Sequence, residues 1–200
     1  MKFPCSGVIL AGGENRRFMG QNKAFCRING KRTIDRIYPL FRSVFSDIIL
    51  VTNTPSLYLE FDATIVCDIL PVRSSLTGIH AGLFYADTPY AFISACDTPF
   101  LEKALVEHIV SQIEDRYDAI IPQTGAGMEP LCAVYAKKAL NRIESSIHQR
   151  KLKIQSVFKK NRIKIIPEQA VRMRDNRLAS FFNINTPQDL ATAENMLNSK

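Results

Sequence analysis

Short apolar runs alternating with stretches of helical periodicity predict an α/β fold. Three layers are expected, with helices on both faces of a mostly parallel sheet. Strand-sized runs recur at residues 6–10, 47–52, 63–67 and 91–96, and helical pattern fills the gaps between them. The 200 residues carry no internal repeat, low-complexity segment or Gly/Ser linker, so residues 1–200 are read as a single domain.

Each element has its own warrant. Ser6-Gly7-Val8-Ile9-Leu10 reads as a first buried strand, and a long glycine-containing loop follows. Residues 33–45 put Ile34, Ile37, Tyr38, Phe41 and Phe45 on one helical face, with Pro39 expected to kink it. Strands follow at 47–52 and 63–67, then a helix around 78–86 and an apolar strand at 91–96. A helix over about 101–114 precedes strand-like runs at 119–121 and 131–135. Residues 181–185 read as a short closing strand. Thr186-Pro187 then starts a helix to the C-terminus, with Thr as N-cap and Pro at the first helical position.

Composition narrows the class. A chain 46% hydrophobic and 22% charged is an ordinary globular protein, which excludes disordered and fibrous readings. Its net charge of +7 points to an anionic partner: nucleic acid, an acidic membrane surface or a polyphosphate ligand. Much of the excess lies late, in Lys137, Lys138, Arg150, Lys151, Lys153, Lys159, Lys160, Arg162 and Lys164. These alternate with Leu152, Ile154, Val157 and Phe158, which reads as the solvated face of an amphipathic helix. Contact with an anionic ligand or partner protein is the functional alternative, and no nucleic-acid recognition motif accompanies the charge.

Cys5, Cys26, Cys67, Cys96 and Cys132 are scattered, and Cys67 and Cys96, each ending an apolar run, are expected to be small buried thiols. No secretory apolar region opens the chain, and no run approaches the ~20 residues of a membrane span. A cytoplasmic, reduced setting without membrane contact is therefore expected. His80, His108 and His148 lack metal-ligand spacing; His108 is expected at the surface, while His80 lies nearer the site described next.

Ligands in a parallel α/β sheet bind outside the carboxyl ends of the strands, and three loops at such ends carry chemistry. The first begins at Leu10-Ala11-Gly12-Gly13 and contains Arg17 and Lys23. Paired glycines let backbone amides approach phosphate oxygens, and the two cations can neutralise a triphosphate. Neither G-K-[ST] nor G-x-G-x-x-G is present, which excludes a Walker A loop and the dinucleotide fingerprint. The second loop is Asp97-Thr98-Pro99, where a carboxylate at a strand end is placed to hold Mg²⁺ or simply to form a turn. The third comprises Asp68 and the turn Ser74-Ser75-Leu76-Thr77-Gly78, opening a helix whose N-terminus faces an anion. Asn53 ends the second strand, as a ligand contact or a plain Asx turn.

Leu10-Ala11-Gly12-Gly13, Arg17, Met19-Gly20 and Lys23 resemble the signature loop of nucleotidyltransferases that activate sugars, isoprenoid precursors and pterins. Cys96-Asp97-Thr98-Pro99-Phe100 and Asn183-Ile184-Asn185-Thr186-Pro187 narrow the resemblance to the molybdenum cofactor guanylyltransferase family, over nearly the whole chain. The resemblance implies a Rossmann-like nucleotide-diphospho-sugar transferase fold and transfer of GMP from GTP to molybdopterin, with Mg²⁺ as cofactor. It implies nucleotide binding by Leu10, Ala11, Gly12, Gly13, Lys23, Asn53, Asp68, Gly78 and Asp97. Lys23, Arg17 and Asp97 would be catalytic, Asp97 the metal ligand, and Asn183 and Asn185 near the acceptor. GTP, molybdopterin and molybdoenzyme maturation proteins are the implied partners.

Four departures from the family pattern bear on base and acceptor choice. Phe18 intervenes between Arg17 and Met19, and Asn22 replaces the usual Asp before the lysine. Ser75-Leu76-Thr77-Gly78 stands where Gly-Pro-Leu-Ala-Gly is typical, and Glu129-Pro130-Leu131 replaces a His-Pro stretch. A cytidylyltransferase, another transferase to a phosphorylated acceptor, and a non-catalytic GTP-binding maturation factor are the alternative readings.

Overall fold

The computed structural model describes residues 4–12 and 22–198. Gly13, Arg17, Phe18 and Met19-Gly20 lie outside the described residues, as do the expectations placed on them. In chain order the strands are β1 (Ser6–Leu10), β2 (Arg27–Ile28), β3 (Lys31–Arg32), β4 (Ile48–Val51), β5 (Thr64–Val66), β6 (Tyr90–Ala95), β7 (Ala119–Thr124), β8 (Gly127–Met128), β9 (Cys132–Ala136) and β10 (Ile163–Ile166). The helices are α1 (Ile34–Val44), α2 (Ser75–Tyr85), α3 (Lys103–Ser111), α4 (Leu140–His148), α5 (Ile154–Val157), α6 (Glu168–Arg172) and α7 (Pro187–Asn198).

The sheet runs β10-β7-β9-β6-β1-β4-β5, with β8 paired to β7. Every pairing along that path is parallel except the two made by β9, which opposes both β6 and β7. The reversal has a simple cause. Only residues 125–131 join β7 to β9, which suits a hairpin but is too short for a parallel crossover.

Side chains of each strand alternate between two cores. Ile9, Leu50 and Phe92 join α1 and α3 on one face, whereas Val8, Ile49 and Ile93 join α2 and α4 on the other. Two glycines permit close layer approach around β1. A Cβ on Gly7 would stand 2.4 Å from the Phe45 ring, and one on Gly82 would stand 2.5 Å from Val8 Cγ1. A third, smaller cluster joins Cys26, Ile28, Ile184 and Ala193, so α7 packs on the β2–β3 hairpin. That hairpin turns at Asn29 and Gly30, both with positive φ (47° and 78°), as a two-residue turn between right-twisted strands requires.

Several expectations are corrected. Residues 181–185 form no strand; a 3-10 turn at Ala179–Phe181 leads into chain held by a backbone bond from Ile184 N to Asp97 O, 3.0 Å. The basic stretch is not one amphipathic helix. Arg150 adopts φ 58° beyond α4, and the chain then divides into α5 and β10. Several of its cations are committed to structure, with Arg142 and Arg162 on Asp118, Lys164 on Glu114 and Lys137 on the Ala86 carbonyl. Cys96 is buried, but Cys67 is exposed because it follows the edge strand β5. α2 begins three residues earlier than expected, since Ser74 Oγ accepts from Thr77 N at 3.1 Å and caps it there. α1 continues through the exposed Pro39 as one helix. Among the described residues no helix is long and apolar enough to cross a membrane.

Candidate active site

β1, β4 and β6 end side by side, and their loops bring most of the expected residues to one edge. Lys23 opens a 3-10 turn capped by Asn22, whose side chain accepts from Ala24 N. From there its Nζ donates to Asp97 Oδ2 at 3.1 Å and to Asn185 Oδ1 at 2.6 Å. Three segments 74 and 162 residues apart in sequence thus meet at one ammonium group. Lys23 and Asp97 are mostly enclosed, with side chains 18% and 15% exposed. The other Asp97 oxygen, Oδ1, is buried and accepts no hydrogen bond among the described residues. Burying an acceptor unpaired is costly, so this oxygen is a feature of the site and not of the fold.

Asn185 is placed by its neighbours. Thr186 Oγ1 accepts from Asp189 N at 3.2 Å, while Asp189 Oδ2 accepts from Asn185 N and Thr186 N at 2.9 and 2.8 Å. This is a capping box at the start of α7, and it fixes the backbone that aims Asn185 at Lys23. The Asn185 and Thr186 amides hold the Asp189 carboxyl below the ordinary aspartate range. Asp189 is a positioning residue absent from the sequence reading, although Thr-Pro-Gln-Asp was a legible signal for it. Asn183, by contrast, is exposed and donates to the Phe181 carbonyl, so it shapes the turn instead of joining the cluster.

A second group forms beside the first on β4 and β5. Asn53 Nδ2 donates to Asp68 Oδ2 at 3.0 Å. Gly78, buried within α2, faces the same place: a Cβ there would lie 3.2 Å from Leu10 Cδ2 and 3.9 Å from Asp68 Oδ1. A Cβ on the exposed Gly12 would meet only ordinary contacts among the described residues, the nearest being Thr52 Cα at 3.5 Å and Asn53 Nδ2 at 3.6 Å. The two ends of the glycine loop are tied together. Asn22 Nδ2 donates to the Tyr58 hydroxyl at 2.9 Å, and that hydroxyl donates to Ala11 O at 3.3 Å. Tyr58, fully buried, was not anticipated from sequence; an isolated tyrosine in a loop gives no such signal.

Two nearby groups are excluded from covalent roles. Burial, then the neighbouring Asp97 carboxylate, push the Cys96 thiol far above its ordinary range, so it stays protonated and is no nucleophile. His80 is buried under α4, its Nε2 3.9 Å from Glu144, and belongs to helix packing.

A mostly parallel α/β sheet with a lysine–aspartate pair at its carboxyl edge, and a glycine loop after the first strand, defines the nucleotidyltransferase class. Residues 7–164 match the MobA-like NTP transferase domain, and the chain belongs to that family. It is 48% identical over 189 residues to the molybdenum cofactor guanylyltransferase of Desulfosudis oleivorans, covering 94% of each chain. It is 36% identical to a probable molybdenum cofactor guanylyltransferase of Natranaerobius thermophilus, over 96% of each. The crystal structure of molybdopterin-guanine dinucleotide biosynthesis protein A from Archaeoglobus fulgidus superposes with a TM-score of 0.83 at 28% identity, covering 98% of this chain and all of that one. The 2-C-methyl-D-erythritol 4-phosphate cytidylyltransferase of Thermus thermophilus shares the fold, with a TM-score of 0.67 at 16% identity.

Proposed function

We propose that this chain transfers GMP from GTP to the terminal phosphate of molybdopterin in the cytoplasm, releasing pyrophosphate. The observation that carries the reading is the Lys23–Asp97–Asn185 cluster, with Asp97 Oδ1 accepting no hydrogen bond among the described residues. A terminal phosphate oxygen of the acceptor attacks the α-phosphorus of the nucleotide in line. A new P–O bond forms as the bond to the bridging oxygen of pyrophosphate breaks. The attacking phosphate is already ionised, so the protein needs no general base, and catalysis rests on positioning and charge neutralisation.

The chain's own residues divide that work. Lys23 supplies a cation at the junction of nucleotide and acceptor, and Arg17 in the glycine loop supplies another. Asn185 and Asp97 orient the lysine ammonium. Leu10, Ala11 and Gly12, with Gly13, form the surface on which the nucleotide lies, and the bare Gly12 leaves room for it. Asn53, Asp68 and Gly78 form the wall expected to receive the base and ribose. Asn183 shapes the approach to the acceptor.

A carboxylate oxygen that accepts no hydrogen bond among the described residues fits a divalent cation. Among the described residues no cluster of three or more metal-ligating side chains exists, so phosphate oxygens and water would complete the shell around Asp97, as Mg²⁺ prefers. When bound, Mg²⁺ supplies neutralisation of phosphate charge.

The test is to incubate purified protein, Mg²⁺ and molybdopterin with each nucleoside triphosphate and follow pyrophosphate release. Release with GTP alone is the expected result. Release with CTP alone makes the chain a cytidylyltransferase, and nucleotide binding without release makes it a non-catalytic factor.

A further inference from the structure

A cavity of about 420 Å³ opens at the end of β7, lined by residues of β7, the β7–β9 connection, α6 and the segment that leads to Asn185. Thr124, Glu129, Glu168, Arg177, Phe181 and Phe182 stand on its walls. We propose that Glu129 is the residue that selects the acceptor, its carboxylate accepting hydrogen bonds from adjacent N–H groups on a flat heterocycle, as the 2-amino and ring N–H edge of a pterin presents. The proposal rests on the transfer reading above and adds a specificity determinant to it.

Position is the first support. Asn53 follows β4 and Thr124 ends β7, four strand spacings apart in the order β4-β1-β6-β9-β7, or roughly 19 Å. Asp97 follows β6, midway between them. The nucleotide wall and the cavity therefore flank the reacting centre on opposite sides, as two substrates of one transfer must. Glu129 belongs to the same edge as Asp97, because Cys132 pairs with Ser94 and its N–H donates to Glu129 O. Phe182 lies three residues before Asn185, a reach of at most ~10 Å.

Charge accounting is the second support. Two carboxylates face the cavity, and one is committed: Glu168 accepts from Arg172 Nε at 2.7 Å and from Gly125 N. Glu129 accepts only the Thr124 hydroxyl, at 3.0 Å on Oε1, among the described residues, and no cation pairs with it. Its half-buried setting pushes its carboxyl above the ordinary glutamate range, and the Thr124 bond offsets this only in part. A partly desolvated acceptor without N–H donors is one that a ligand can satisfy. Phe181 and Phe182 add aromatic surface, Phe182 being braced by the Phe100 ring at 5.9 Å. Flat heterocycles stack on such faces.

Binding of 6-methylpterin and of 6-methyllumazine, in which an oxo group replaces the 2-amino donor, is measured by fluorescence on the wild type and on Glu129→Gln. A site built to accept from an N–H rejects the analogue that lacks it. The wild type is expected to prefer the pterin by about tenfold or more, and Glu129→Gln to bring the two within about twofold. The GTP-induced rise in melting temperature is expected to be the same in both proteins, which separates lost recognition from a damaged fold. Equal preference in wild type and variant overturns the assignment of Glu129, and so does an equal loss of GTP response. If the wild type discriminates between the two heterocycles yet releases no pyrophosphate from GTP and molybdopterin, the transfer reading fails and the assignment stands.

Discussion

Two aspartates, one buried and one mostly enclosed, sit at opposite edges of the same sheet and have opposite surroundings. Asp118 immediately precedes β7 at the amino edge, 2% exposed, with Arg142 on one oxygen and Arg162 on the other. Asp97 follows β6 at the carboxyl edge, with Lys23 on one oxygen and nothing on the other among the described residues. Asp118 is saturated, and its charge pins β7, β10 and α4 together. Among the described residues Asp97 keeps acceptor capacity that none of them uses. Of these two aspartates, the saturated one holds secondary-structure elements together, and the incompletely paired one faces the candidate site.

Crossed substitutions put that contrast at risk. The largest effect is expected from Asp97→Asn or Lys23→Ala: pyrophosphate release should fall roughly a hundredfold or more, about 3 kcal/mol of transition-state stabilisation, with the urea midpoint nearly unchanged. Turnover near wild type in either variant would sink the assignment of the cluster. Asp118→Asn should do the reverse, costing on the order of 2 kcal/mol of unfolding free energy, discounted because both arginines keep solvent contact, while turnover at 25 °C persists. Urea denaturation alongside a rate assay measures both quantities on one preparation.

pH sharpens the comparison further. Burial raises the Asp118 carboxyl, but the hydrogen bonds from Arg162 and Arg142 outweigh it, and the net displacement is downward. A folded-state value below the unfolded one means stability present above about pH 4 and lost as pH falls through the folded value. Asp118→Asn should therefore flatten the most acidic part of the stability curve. His80 governs a separate window. Burial lowers its pKa, with Glu144 opposing and His148 adding to the effect. The unfolded chain then binds the extra proton, and stability should decline as pH drops below about 6.5. Melting curves of His80→Gln should lack that shallower decline; an unchanged curve would show that His80 does not cause it.

The smallest effect is expected at Gly78. An added methyl would press on Leu10 Cδ2 at 3.2 Å, a contact that a side-chain end can relieve by a small shift. Gly78→Ala should raise the KM for GTP a few-fold and leave kcat near wild type. A fall in kcat alone would place Gly78 nearer the reacting atoms than the nucleotide wall.

How much was legible in advance depended on how local each cause is. β1 is legible to the residue, because five consecutive small or apolar side chains stand between Pro4 and the Gly12-Gly13 pair. The start of α7 is equally local in Thr186 and Pro187, and Asp189 completes the cap within the same turn. The β2–β3 hairpin went unread even though Asn29-Gly30 announces it, because two-residue strands carry no periodicity. Residues 181–185 resemble a strand in sequence because an apolar pair is followed two positions on by isoleucine. Their single backbone bond to the Asp97 carbonyl is a long-range contact that no local pattern encodes.

By itself, the sequence determined the α/β class, the positions of the buried strands, and the residue types gathered at their carboxyl ends. Strand burial and turn chemistry act over a few residues and leave a readable pattern. Tertiary structure alone decided that β9 lies between β6 and β7, that Asn185 reaches Lys23 across 162 positions, and that one aspartate is saturated while the other has an oxygen unpaired among the described residues. Pairing of buried charge depends on which distant groups share a small enclosed volume, and the folded chain alone brings those groups together.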